Sequence, residues 1–175
     1  MIRLIKDTLP NFPDEVIKEW LLPFAESEGW PPQLGYDGIS LDRWRYLLGL
    51  RPFSFFQRLD WKKEYKHISI HEIAEKSQPA LVQIFEAAIL GRHNIMSSSI
   101  SNLKERFESV VKYIKAYGLM PKAPALLLEK DKYYILDGNH RLSAYYYCYG
   151  YFGVDVESEL MLTTEKNQNY WIAYQ

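Results

Sequence analysis

The first part of the chain carries apolar residues at helical spacing. A helix is predicted to begin at Asn11 or Pro13 and to end near Pro23 or Gly29. The side chains that it would bury are Val16, Ile17, Trp20 and Leu21. A second helix is predicted over SLDRWRYLLG, with a serine cap and a glycine end (Ser40 and Gly49). Residues 1–65 are therefore predicted to form a helical, aromatic-rich extension.

From Lys66 onward the pattern changes to a mixture of strands and helices. HISIHEI alternates between apolar and polar residues and predicts a strand. QPALVQIFEAAILG predicts a helix that ends at Gly91. A further helix is predicted from Asn102 to Gly118, with Glu105 in the capping-box position. Its apolar face would consist of Leu103, Phe107, Val110, Val111, Ile114 and Tyr117.

The last third of the chain predicts a hairpin, a corner and a helix. ALLLEKDKYYIL predicts two strands joined at residues 129–132, and the helix after the corner would end at Gly150. Its apolar stripe would contain Leu142, Tyr145, Tyr146 and Tyr149. VDVESELML predicts a final strand. Residues 66–175 are thus predicted to form an α+β domain with a mixed sheet and packed helices.

Composition narrows the functional classes. With 175 residues and 47% apolar composition, one domain with an appendage is expected. The net charge of −1 gives no overall bias toward nucleic acid or an anionic membrane. One cysteine, Cys148, excludes an intrachain disulfide, and no apolar run is long enough to predict a signal peptide or a membrane span. A cytoplasmic location is expected.

The corner between the hairpin and the next helix holds the most chemically active residues. Its sequence is DGNHR, from Asp137 to Arg141. Free amides at the start of a helix attract anions, and glycine permits close approach of a ligand. Gly138, Asn139, His140 and Arg141 are therefore predicted to bind phosphate, Arg141 through two parallel hydrogen bonds.

Two corner residues are also candidate catalytic groups. His140 could donate to a phosphate or carry a proton. Asp137 would orient Arg141 or His140, hold the loop in place, accept a hydrogen bond from a ribose hydroxyl, or coordinate a metal ion. The alternative is a capped helix start in which Asp137 and Asn139 only make turn hydrogen bonds.

The segment KAPALLLEKDKYYILDGNHRLSAY, preceded by VVKYIKAYGLMP, resembles the ParB/sulfiredoxin superfamily. The resemblance covers roughly residues 68–150 and implies a ParB/sulfiredoxin-like fold. It also implies a nucleotide, ATP or CTP, bound with Mg²⁺ at the corner. Asn139 stands where sulfiredoxins have their cysteine, so sulfiredoxin chemistry is not implied. Kinases of this family carry Asp-Gly-His-His-Arg at the corner, and this chain differs from that sequence only by having Asn139 in place of the first histidine. The resemblance therefore implies phosphoryl transfer to a small-molecule acceptor, or nucleotide hydrolysis.

Residues outside the corner are weaker candidates. Arg92 and His93 could form a second phosphate-binding segment, or a solvated loop after the Gly91 helix end. Glu72 stands where related kinases place an acidic residue and could serve as a base, or it could be an exposed carboxylate. Two histidines at i, i+4 spacing, His67 and His71, lack a carboxylate partner, so no metal site is predicted.

Two other functions remain open from the sequence. Residues 42–66 contain seven basic and three acidic residues, a net charge of +4, interleaved with aromatic rings. This mixture could bind single-stranded nucleic acid or mark a nuclease-like module, or its rings could fill a core. The chain could instead be a non-catalytic interaction domain with an exposed apolar patch around Trp30, Trp61 or Trp171. The sequence does not predict the oligomeric state.

Overall fold

The computed structural model describes all 175 residues and contains one mixed sheet between two layers of helices. The strands are β1 (Asp60–Lys66), β2 (Ala125–Glu129), β3 (Lys132–Asp137) and β4 (Gln168–Tyr174). Their order in the sheet is β1-β4-β2-β3. β4 pairs antiparallel with β1 and parallel with β2, while β2 and β3 form an antiparallel hairpin. The predicted α+β class, with a mixed sheet and packed helices, is confirmed.

The N-terminal helices cover one face of the sheet. They are α1 (Ile2–Thr8), α2 (Asp14–Val16), α3 (Leu22–Glu28), α4 (Asp42–Leu47) and α5 (Phe53–Phe56). A π-helical turn, Ile17–Leu21, joins α2 to α3, so the first predicted helix continues past Pro23 and ends at Gly29. Pro23 has no N–H to donate, and the π-helical turn directly before it is where the hydrogen-bond pattern of the helix shifts.

The opposite face is covered by the remaining helices. They are α6 (Gln78–Ile89), α7 (Ile95–Ser99), α8 (Leu103–Tyr117), α9 (Asn139–Cys148) and α10 (Ser158–Thr163). The helices predicted to end at Gly91 and Gly118 are confirmed. Asn102 precedes α8 without a side-chain hydrogen bond, so the capping box predicted with Glu105 is absent. Tyr117, predicted to lie on the apolar face of α8, is exposed.

Both faces of the sheet are buried because the central strands alternate between two cores. Ala125 and Leu127 contribute to the core beneath the N-terminal helices, and Leu126 contributes to the core beneath α8 and α9. The buried side chains predicted for the first helix, Val16, Ile17, Trp20 and Leu21, all lie in the first of these cores. The N-terminal helices are therefore an integral layer of the molecule.

Two predicted strands are wrong, and two real strands lie elsewhere. HISIHEI forms a 3₁₀ turn, Ile70–Glu72, because Ser69 and Glu72 close a capping box around it. Strand β1 precedes this turn in the chain and lies almost entirely within residues 1–65, which were predicted to form a helical extension. VDVESELML contains α10 and no strand, and the final strand is β4. Ser40 does not cap α4, which begins after Leu41. No helix combines the length and apolar character needed to span a membrane.

Candidate functional site

The corner after β3 is built around a glycine that no other residue could replace without strain. Gly138 has φ +101°, and a Cβ atom added there would lie 2.8 Å from the Cβ of Pro124. The backbone of the corner thus passes directly against the loop that leads into β2. This close approach turns the chain from β3 into α9 within one residue.

The first amides of α9 are available to a ligand. Helix geometry leaves the N–H groups of Asn139, His140 and Arg141 without acceptors inside the helix. No side chain caps them. The positive end of the α9 dipole adds to their attraction for negative charge. This end of α9 therefore suits an anion with several oxygen atoms.

Asp137 and Arg141 form an ion pair across the first turn of α9. Arg141 donates through Nη2 to Oδ2 of Asp137 and through Nη1 to the carbonyl of Ala123 at 3.4 Å. Its side chain is only 13% exposed. Burial raises the pKa of Asp137, and the adjacent guanidinium opposes that rise. Of the roles considered for Asp137, the geometry fits orientation of the arginine, and Arg141 retains only part of its charge for a ligand.

His140 carries an unsatisfied polar atom. Its Nε2 atom is buried and has no hydrogen-bond partner. Burial lowers the pKa of His140 to about 4, and the positive charges of Arg106 and Arg141 contribute further. The imidazole is therefore neutral at pH 7. A neutral ring can donate or accept a hydrogen bond, but it is a weak base.

The corner opens into a cleft of about 390 Å³, which we call the corner cleft. Asp137–Arg141 form one wall, Glu19, Trp20 and Phe24 from the N-terminal layer form another, and α8 supplies Arg106 and Val110. The cleft thus combines free amides with a partly apolar wall large enough for a nucleotide-sized ligand.

Arg106 is the cation of the corner cleft that is free of an acidic partner. Lys122 pairs with Glu19 at 2.7 Å and Arg141 pairs with Asp137, whereas Arg106 is exposed and makes no ion pair. Sequence reasoning missed Arg106, because its place at the corner results from the packing of α8 beside α9. The corner cleft therefore has one positive charge, on Arg106, that no acidic side chain neutralises.

The remaining predicted site residues lie outside the corner cleft. Glu72 accepts the Ser69 N–H at 2.8 Å, beside the far end of β3 from the corner. Arg92 pairs with Glu86 at 2.8 Å in an exposed loop, and His93 follows it next to α7. The structure thus brings together Asp137–Arg141, but it does not place Glu72, Arg92 or His93 with them.

The acidic residues of the corner cleft are few. Glu19 and Asp137 line it, and no group of three or more histidine, cysteine or acidic side chains has the arrangement of a metal site. Mg²⁺ that arrives with a nucleotide is held mainly by phosphate and water and needs only one or two carboxylates. Both carboxylates are already paired with cations, Glu19 with Lys122 and Asp137 with Arg141, so Mg²⁺ in this cleft would have to be held by the phosphates and water.

Most of the aromatic rings in the basic segment, residues 42–66, fill the core. Trp44, Phe53, Phe55 and Phe56 are buried, while Tyr46 and Tyr65 are exposed. Trp30, Trp61 and Trp171 pack against the same core and do not form an exposed patch. These positions match the interpretation in which the aromatic residues are structural.

Comparison of the chain with protein families, with curated proteins and with solved structures gave no match. The resemblance to the ParB/sulfiredoxin superfamily therefore stays a prediction.

Proposed function

We propose that the protein binds the phosphates of a nucleotide in the corner cleft. The observation that carries this proposal is the convergence of the free α9 amides with Arg106, the uncommitted cation of the cleft. The imidazole of His140 also lines the corner cleft and gives a third polar group beside the proposed phosphate position. The resemblance of the corner to ParB/sulfiredoxin-like proteins supports both this ligand class and a ParB/sulfiredoxin-like fold.

The proposed activity is phosphoryl transfer to a small molecule, or hydrolysis of the nucleotide. Such reactions depend mainly on positioning and on neutralisation of phosphate charge. In this proposal the α9 amides hold the phosphate, and Arg106 and Arg141 neutralise it. Mg²⁺ would supply further charge neutralisation on the phosphate oxygens. Asp137 keeps Arg141 in place, and neutral His140 donates a hydrogen bond. A nucleotide-dependent activity also accords with the cytoplasmic location expected from the sequence.

Calorimetry tests this proposal with ATP, CTP and GTP in the presence of Mg²⁺. A hydrogen bond to a charged group contributes about 1.5–3 kcal/mol, so Arg106→Ala is expected to weaken binding by at least about tenfold. Arg3→Ala is the matched control, because Arg3 is an exposed arginine on α1 without an ion pair. Absence of binding to wild type, or equal affinity for wild type and Arg106→Ala, would contradict the proposal.

A further inference from the structure

A second pocket adjoins the corner cleft. It has a volume of about 270 Å³, and we call it the side pocket. Its lining includes Arg51, Lys76, Ser77, Tyr134 and Asn139. Leu47, Leu136 and Asn139 line both cavities, so the two spaces share a wall. A ligand in the side pocket would therefore lie next to a phosphate held at the start of α9.

The two cationic side chains of the side pocket, Arg51 and Lys76, differ in whether an acidic side chain pairs with them. Arg51 forms two parallel hydrogen bonds with Glu129, at 3.0 and 2.8 Å, and is thereby neutralised. Lys76 has no acidic side chain within ion-pair distance, and its Nζ lies 4.5 Å from the centre of the Tyr134 ring. The aromatic face positions the ammonium group without neutralising it. Arg51 and, less strongly, Lys76 lower the pKa of Glu129, so these three charges leave the side pocket with a net charge of +1.

The other walls indicate the kind of molecule that this charge would meet. Leu47, Leu136 and the Tyr134 ring form an apolar lining, and Asn139 lies where the two cavities adjoin. α6 begins after Ser77, so the positive end of its dipole also lies on this side. A small apolar body with one anionic group matches these walls.

We propose that the side pocket binds a small organic carboxylate as the second substrate of the reaction. Its carboxylate contacts Lys76, and its apolar body packs on Leu47, Leu136 and Tyr134. The end opposite the carboxylate approaches the corner cleft past Asn139. The role as second substrate rests on the proposed nucleotide binding, whereas the carboxylate site itself rests only on the side pocket.

Amide chemical shifts measured by NMR test the site with a defined probe, 4-hydroxybenzoate. Saturable shifts are expected at Lys76, Ser77, Tyr134 and Ile135. Lys76→Met keeps the aliphatic contact with Tyr134 but removes the charge, and it is expected to weaken binding about fivefold. Lys112→Met, at an exposed lysine without an ion pair, is the control and should leave binding unchanged. The uncharged analogue 4-hydroxybenzyl alcohol should bind wild type as weakly as the carboxylate binds Lys76→Met.

The outcomes separate the two proposals. Absence of saturable shifts at the side pocket, or equal binding by wild type and Lys76→Met, overturns the carboxylate site. A parallel titration with inorganic phosphate should shift the amides of Asn139–Arg141. A phosphate response without a carboxylate response refutes the side pocket alone. A carboxylate response without a phosphate response refutes the proposed function and, with it, the role as second substrate.

Discussion

Replacement of Gly138 by alanine should destabilise the protein more than the same change at Gly91, a glycine with open space around it. Gly138 has φ +101°, which costs an L-residue at least about 1–2 kcal/mol. The new methyl group would also lie 2.8 Å from the Cβ of Pro124, and relieving such an overlap costs about 1–3 kcal/mol. The expected loss in the free energy of unfolding is therefore about 2–5 kcal/mol.

Urea denaturation measures this loss directly. With a slope of about 2 kcal/mol per M, the Gly138→Ala midpoint should fall by about 1–2.5 M. Gly91→Ala is the matched control, because Gly91 has φ +63° but an added Cβ would meet no atom within 4 Å. Its expected loss is the backbone cost alone, about 1–2 kcal/mol, or about 0.5–1 M. Equal midpoints for the two variants would refute the argument that the corner backbone is pressed against Pro124.

Two further predictions concern buried titratable groups. An NMR titration of the His140 ring should give a pKa of about 4, below its unfolded value of 6.5. The stability that the neutral ring confers should therefore be complete above about pH 6.5 and be lost as the pH falls toward 4. A titration midpoint near 6.5 would refute the burial of the ring. Burial raises the pKa of Cys148 to about 12 from 9.0, so at pH 8 the native thiol should react with a disulfide reagent about a thousandfold more slowly than the urea-unfolded thiol. Comparable rates would show that Cys148 is accessible.

The parts of the fold that were predicted correctly have strong local signals. α8 has a clear amphipathic period and a glycine end, and the β2–β3 hairpin consists of two apolar runs separated by the polar residues 129–132. The strands that were missed lack such signals. β1 is an edge strand of charged and aromatic residues, and β4 lies at the centre of the sheet, where burial on both faces removes the alternation.

The candidate site was predictable only as far as its residues are consecutive. Asp137–Arg141 could be identified because one turn places them together. Arg106 and Lys76 come from α8 and from the turn before α6, and only tertiary packing brings them beside the corner. In HISIHEI, the local capping box between Ser69 and Glu72 outweighed the strand alternation. Side-chain hydrogen bonds therefore determined the local structure of HISIHEI, and packing between distant segments determined which residues join the corner. The hydrophobic pattern of the sequence predicts neither.

A crystal structure of the protein with ATP and Mg²⁺ tests the central claim most directly. The account predicts phosphate oxygens at hydrogen-bond distance, about 3 Å, from the amides of Asn139 and His140 and from the guanidinium of Arg106. Phosphates bound at Arg92 and His93, or anywhere outside the corner cleft, would contradict it.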